Sequence, residues 1–517
     1  MTRKIFYNGK VLTQDSELPE ATAFIVEDGI FTQVGNDEAM LALSSDADEL
    51  INLHNQFVIP GFNDAHIHIW KVGNLITHML DLRGVKSIAE MQHKILAYAN
   101  QNPNLSWIQA RGFNEVDFDV PKMPNKLDLD ILNLDRPICV TRTCAHQIIV
   151  NTKALEIAEI NVDTISPNGG EIKYLEDDTL AGHFTETAIG LILRVIPKYT
   201  HAELREMVLA AQKQFLTMGI TAATDPAVDR DLLEVYKQMD KAGELKIRIN
   251  AIPIRVPDGA LKAYPNPDKY ASQHLIVNTV KFFADGGLSG KTAALFHPYK
   301  NTNNHGVLRL DEDTFLALAQ SSQAAGFRIA THAIGDAAIE MVLNVYDKIA
   351  AENVNLINHR IEHLGLPSME HLAKMQRLNI SAVMQPVFIS ELGNNFINYL
   401  NADYLSNLYP VRSVIDSGVL LALSTDAPVV KQYNPIACVM AAMSRKTNSG
   451  ILIGENQHIT LNEALYAYTM GSAIAGGQDN WIGSITKGKF ADFLTLTALP
   501  GTEPIELETY IEGHLMN

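Results

Sequence analysis

The 517-residue chain carries 41 Lys and Arg against 59 Asp and Glu, a formal charge of −18, which argues against a nucleic acid or an anionic membrane surface as partner. Its 47% hydrophobic content, with 21 Pro and 32 Gly spread along the chain, is globular composition, and a domain size of roughly 150 residues predicts about three structural units. Cys139, Cys144 and Cys438 are too few for a disulfide framework and form no CxxC pair, so any metal must rest on nitrogen and oxygen ligands.

The first 57 residues are short β-rich runs, KIFYNGKVLT, TAFIVEDGIFTQVG and ELINLHNQFVIP, separated by Asn-Gly and Asp-Gly turn signals. The stretch WIGSITKGKFADFLTLT at 481–497 has the same character. Residues 1–57 and 478–517 are therefore expected to meet in one small β-sandwich domain, with the long middle inserted into it. No apolar run approaches the ~20 residues of a membrane span, and the opening residues lack a secretory apolar segment, so a cytoplasmic location is expected.

The run VIPGFNDAHIH at 58–68 reads as a buried strand whose period-two alternation puts His66 and His68 on one face, about 7 Å apart. Two such imidazoles are half a metal site, or simply two hydrogen-bonded polar residues at a strand end. Residues 69–199 are too many for one crossover helix and contain strand-like runs of their own, SWIQARGFNE and PICVTRTCAHQIIVN. They predict an inserted α/β subdomain near the active-site mouth, where Trp70, Arg111, His146 and Glu186 are candidates for substrate binding, each weighed against a purely structural polar role.

From about 200 to 470 short apolar runs alternate with helical stretches, the pattern of parallel strands with crossover helices. The runs are ITAATDPA, KIRINAIPI, TVKFFADG, FRIATHAIGD, NHRIEHLG, ISAVMQP and LLALSTDAP. With the first strand they make eight, which predicts an α/β fold with a TIM (β/α)8 barrel over 58–68 and 200–477. A doubly wound open sheet is the alternative.

Lys281, His332, His363 and Asp426 fall at the ends of strands four, five, six and eight, and such ends converge on one mouth of a barrel. Neutral imidazoles and carboxylates suit Zn²⁺, with Mn²⁺ or Fe²⁺ open, at one or two sites. A lysine amine ligates only when neutral or when carboxylated by CO₂ to N6-carboxylysine, whose carbamate oxygens can bridge two metals. Otherwise Lys281 is an interior cation paired with Asp285 on the same strand face, a residue that is also a substrate-binding candidate. Such a site implies metal-assisted hydrolysis, with Asp426 taking the proton of the attacking water and passing it to the departing amine. The segment Gly286–Thr292 imitates a phosphate-binding P-loop, but Asp285 stands where the motif needs its first glycine.

On VIPGFNDAHIH, VKFFADG, THAIGD, RIEH, STDAP and GSITKGKFADFLTL, with RGFNE, RPICVTRTCAHQIIVN and GHFTETA in the insert, the chain resembles the amidohydrolase superfamily and, within it, the YtcJ-like or amidohydrolase-3 branch, which includes N-substituted formamide deformylases. The resemblance implies a metal-dependent hydrolase of C–N bonds other than peptide bonds, acting on a small molecule and assembled as a homo-oligomer such as a dimer. It places His66, His68 and Asp426 on the more buried metal, His332 and His363 on the second, and Lys281 where binuclear relatives carry the carboxylated lysine. Thr143-Cys144 departs from the Asp-Gly more usual in the branch. An N-acyl, N-formyl or cyclic amidase leads this reading. An esterase, lactonase or deaminase built on the same site follows, and a silent scaffold relative is disfavoured by the filled ligand positions.

Overall fold

The computed structural model describes residues 3–257, 262–351, 358–502 and 504–516. Eight short buried strands form its centre: β1 (Phe62–Asp64), β2 (Ile220–Val228), β3 (Arg248–Pro253), β4 (Thr279–Phe283), β5 (Arg328–Ala333), β6 (Arg360–His363), β7 (Ser381–Met384) and β8 (Leu421–Leu423). The pairings among them are parallel. Such strands are covered on both faces, which is why they appear in the sequence as apolar runs rather than as an alternation.

The pairing builds two five-stranded arcs. One holds β1, β2 and β3, extended by Leu275–Val277 and Tyr270–Ala271; the other runs from β4 to β8. The arcs meet twice. Leu275–Val277 pairs with β3 and, after Asn278 alone, the chain continues as β4 against β5. Ile254 bridges Lys281 across this seam. Between β8 and β1 there is no strand ladder. Instead the Ala65 N–H donates to the Leu423 carbonyl at 3.3 Å, and beyond the strand ends Asp426 N–H donates to His66 O at 2.8 Å and His68 N–H to Ala427 O at 2.9 Å.

Helices Arg230–Lys241, Glu312–Ala324 and Met369–Arg377 start at polar caps. The Asp229, Asp311 and Ser368 side chains accept from the N–H groups of Leu232, Thr314 and His371 at 2.8, 2.9 and 3.1 Å, satisfying donors the helix cannot use itself. The first of these helices buries Leu232, Leu233, Val235, Tyr236 and Met239 as a single stripe.

The run expected as one strand over 58–68 divides at Gly61, where a Cβ would lie 2.1 Å from Thr221 Oγ1. Before that point Phe57–Pro60 belongs to a six-stranded sheet with Lys10–Leu12 and Phe493–Leu496, so strands from both ends of the chain share it. A four-stranded sheet of Lys4–Tyr7, Ala23–Glu27, Ile30–Gly35 and Glu49–Asn52 completes this region. Phe6, Phe24, Phe31 and Phe493 pack as one aromatic cluster with ring centres 5.0–6.2 Å apart. Residues 80–186 contribute a separate six-stranded sheet with its own two apolar clusters.

Candidate metal centre

His66 and His68 do not sit on a strand. They follow the end of β1, and His68 begins helix Ile69–Thr77, so their approach comes from a turn rather than from strand alternation. That turn is fixed from below by the buried Asp64 carboxylate, which accepts from the His66 and Thr425 N–H groups at 3.1 and 3.2 Å and from the Thr425 and Tyr468 hydroxyls at 2.8 Å each. The same group therefore holds both the His66 turn and the Asp426 turn. Asp426 and His363 adopt left-handed backbone, with φ of 54° and 74°.

Asp426 Oδ1 lies 3.2 Å from His68 Nε2 and 3.5 Å from His66 Nε2, and the three residues each place one ligand-type atom within 4.8 Å of the others. Among the described residues Oδ1 makes no hydrogen bond. Burial, reinforced by Lys281 at His66 and by Lys71 at His68, lowers both imidazole pKa values. Burial alone would raise Asp426, but the imidazoles of His66, His68 and His363 around it hold it below the usual carboxylate range. Two imidazoles with lowered pKa values and one ionised carboxylate, buried and converging on one point, are a donor set that fits a divalent cation.

The outer imidazoles complete a row. Ring centres are 5.6 Å apart for His68 and His66, 4.8 Å for His66 and His363, and 4.5 Å for His363 and His332. Each of three rings is anchored through its other nitrogen: His66 Nδ1 to Glu362 Oε2 at 2.5 Å, His363 Nδ1 to Gln385 Oε1 at 2.8 Å, and His332 Nε2 to the Gly286 carbonyl at 3.1 Å. Such anchors fix the tautomer and aim the remaining nitrogen. Burial lowers His363 to about 3, with His66 adding to the effect, and places His332 well below its ordinary value, with His363 adding.

Lys281 is fully buried and its Nζ has no hydrogen-bond partner among the described residues. It is not paired with Asp285, whose oxygens accept from the N–H groups of Ala294, Ile334 and Gly335 at 3.0, 3.1 and 2.9 Å. The interior ion pair weighed from the sequence is therefore not formed. Burial lowers the Lys281 pKa to about 8 against the opposing pull of Glu362 and Asp426.

The four imidazoles of the row and Asp426 open onto a cavity of about 110 Å³ that is lined as well by the polar side chains of His146, Glu186, Lys71 and Arg309 and by Phe388, Leu392, Phe396 and Tyr409. His146 Nδ1 and Glu186 Oε2 are 2.8 Å apart. Glu186 docks against Gly286, where a Cβ would stand 2.3 Å from its Oε1, so the glycine that suggested a P-loop serves close packing instead. Trp70, Arg111 and Asp285 are not part of this lining. Trp70 packs its ring against Tyr199, Arg111 donates to the Thr143 carbonyl at 3.4 Å, and Asp285 ties the loop after β4 to the one after β5. Sequence reasoning missed Glu362, Arg360 and Lys71. The first two lay inside the run NHRIEHLG, and their signal was charge in an otherwise apolar strand.

Comparison with known proteins matches residues 49–509 to the amidohydrolase family model. The chain is 29% identical to "Putative amidohydrolase YtcJ" of Bacillus subtilis (strain 168), over 99% of each chain. It is 25% identical to an N-substituted formamide deformylase of Arthrobacter pascens, over 98% of this chain and 97% of that one. A crystal structure of an uncharacterized metal-dependent hydrolase from Pyrococcus horikoshii OT3 superposes over 100% of both chains with a TM-score of 0.77 at 23% identity, a likeness of fold.

Proposed function

The chain belongs to the amidohydrolase family, and from that membership we propose that it hydrolyses a non-peptide C–N bond of a small molecule, an N-acyl, N-formyl or cyclic amide, at a divalent metal held by His66, His68 and Asp426. The observation that carries the reading is the convergence of those three residues on one point, around an Asp426 oxygen that makes no hydrogen bond among the described residues. When bound, a cation such as Zn²⁺ supplies a water acidic enough to be hydroxide near neutral pH and a Lewis acid for the scissile carbonyl. Asp426, ionised and facing the same point, takes the proton of the attacking water and returns it to the nitrogen as the C–N bond breaks. Glu362, held by Arg360 through contacts of 2.5 and 3.0 Å, keeps His66 in the tautomer that offers Nε2 to the metal. The apolar wall excludes bulk water from the reacting atoms.

The reading extends to the frame and to Lys281. The two arcs close as one (β/α)8 barrel, with the two terminal sheets forming a composite β-sandwich. Lys281, buried with an unpartnered amine whose pKa lies near 8, reacts in its neutral form with CO₂ to give a carbamate that brings His332 and His363 a second metal, losing one proton in the process. A panel of N-formyl, N-acyl and cyclic amides, esters and lactones, run on the metal-loaded and chelator-stripped protein, tests the function. Amide cleavage restored by metal is expected, and cleavage that survives stripping would sink the metal reading.

A further inference from the structure

His68 differs from the other three imidazoles of the row. Its Nδ1 is buried and makes no hydrogen bond among the described residues, and the same is true of Asp225 Oδ1, which faces it at 3.9 Å. Asp225 is fully buried near the end of β2 and its Oδ2 accepts from the Tyr236 hydroxyl at 2.5 Å. Backbone pairing brings the two segments together one residue away, where the Ile67 N–H donates to the Thr224 carbonyl at 2.9 Å. Two buried polar atoms left side by side without a hydrogen bond are uncommon, so the gap calls for a reason.

The reason lies on the other side of the ring. With the proton on Nε2, His68 turns it toward Asp426 Oδ1, 3.2 Å away, and its Nδ1 and Asp225 Oδ1 stand 3.9 Å apart, beyond hydrogen-bond distance. With a cation between His66, His68 and Asp426, Nε2 must present its lone pair, the proton sits on Nδ1, and Asp225 Oδ1 becomes an acceptor already in place.

We propose that Asp225 is a positioning residue of the metal centre: ion binding sets His68 as the Nδ1–H tautomer, and a side-chain movement of about 1 Å closes the 3.9 Å gap into a hydrogen bond. His68 then has the same wiring as His66 with Glu362. Tyr236, on helix Arg230–Lys241, holds the carboxylate for this role by occupying its other oxygen. The inference rests on the metal site proposed above and concerns residues outside its ligand set.

Competition for Zn²⁺ between the stripped full-length protein and a chromophoric chelator tests it, with the melting temperature of each metal-free variant measured alongside. Asp225→Ala is expected to weaken Zn²⁺ binding about 10–100-fold. Asp225→Asn keeps a neutral acceptor and should lose less, and it serves as the probe if the alanine variant does not fold. Tyr236→Phe should lose least. Zn²⁺ affinity unchanged in Asp225→Asn and Asp225→Ala, whatever their melting temperatures, overturns the role of Asp225 while leaving the metal site intact. Failure of the unaltered protein to bind Zn²⁺ overturns both readings.

Discussion

The inner and outer halves of the row of imidazoles are built on different principles. The inner residues are set by backbone: the His66 carbonyl receives the Asp426 N–H and the Ala427 carbonyl receives the His68 N–H, so the seam between β8 and β1 is itself the scaffold of the site. The outer imidazoles hang from neutral groups, the Gln385 amide and the Gly286 carbonyl. Among the described residues only the inner three gather into a cluster of metal-ligand atoms. The inner donors already converge and need only small adjustments, whereas on the proposed reading the outer pair needs another anion. The difference predicts one tight ion and one weaker, conditional ion.

The sharpest way to break this picture is to remove the inner carboxylate. Asp426→Asn keeps the shape but withdraws both the proposed anionic ligand and the proposed proton carrier, and kcat/KM should fall by at least about a thousandfold, near 4 kcal/mol, with loss of the tight ion measured by metal analysis. Removal of an outer imidazole should act on one ion only. In His332→Ala the tight ion is retained and the weaker one is lost, with activity down by about 10–100-fold. Loss of both ions together would show that the halves are not separable.

How much of this was legible in the sequence follows from range. Buried parallel strands betray themselves as apolar runs, and ligand-type residues at their ends stood out by chemistry, so membership of the amidohydrolase family, expected from those motifs, is borne out by the family match. The pairing of His66 with Glu362 spans 296 positions, and nothing local announces it. The same is true of Asp225 and His68, whose relation depends on β1 and β2 lying side by side across the whole insert. The His66–His68 spacing suggested two imidazoles side by side on a strand face, whereas it is a turn that brings them together. Gly286 was legible only as a loop glycine, because its close neighbour Glu186 arrives from the insert.

A pH series sharpens the comparison through Lys281. Its pKa is lowered from 10.5 to about 8 by burial, so the neutral amine that the proposed carbamate requires is scarce below that pH and dominant above it. Uptake of the weaker ion by stripped protein held at one dissolved CO₂ concentration across the series, followed by metal analysis, should accelerate by about tenfold per pH unit below about 8 and level off above it. The tight ion should show no dependence on bicarbonate. Equal bicarbonate dependence for both ions would argue that Lys281 serves the two halves alike.

The smallest effect tests whether the anchor's charge separates the halves. His66 leans on a carboxylate and His363 on the amide of Gln385, whose Nε2 donates to the Ser424 hydroxyl oxygen at 2.8 Å. A carboxylate acceptor raises the basicity of the ligating nitrogen more than an amide does. Gln385→Glu gives the outer imidazole the inner kind of anchor, and the Ser424 hydroxyl can turn to donate to the new carboxylate. The weaker ion should then bind a few-fold more tightly in chelator competition. Gln385→Leu removes the acceptor and should loosen the same ion a few-fold, while the tight ion is unmoved in either variant. Opposite signs from two substitutions at one buried position would be difficult to obtain from a general loss of packing, which weakens binding whichever residue is introduced.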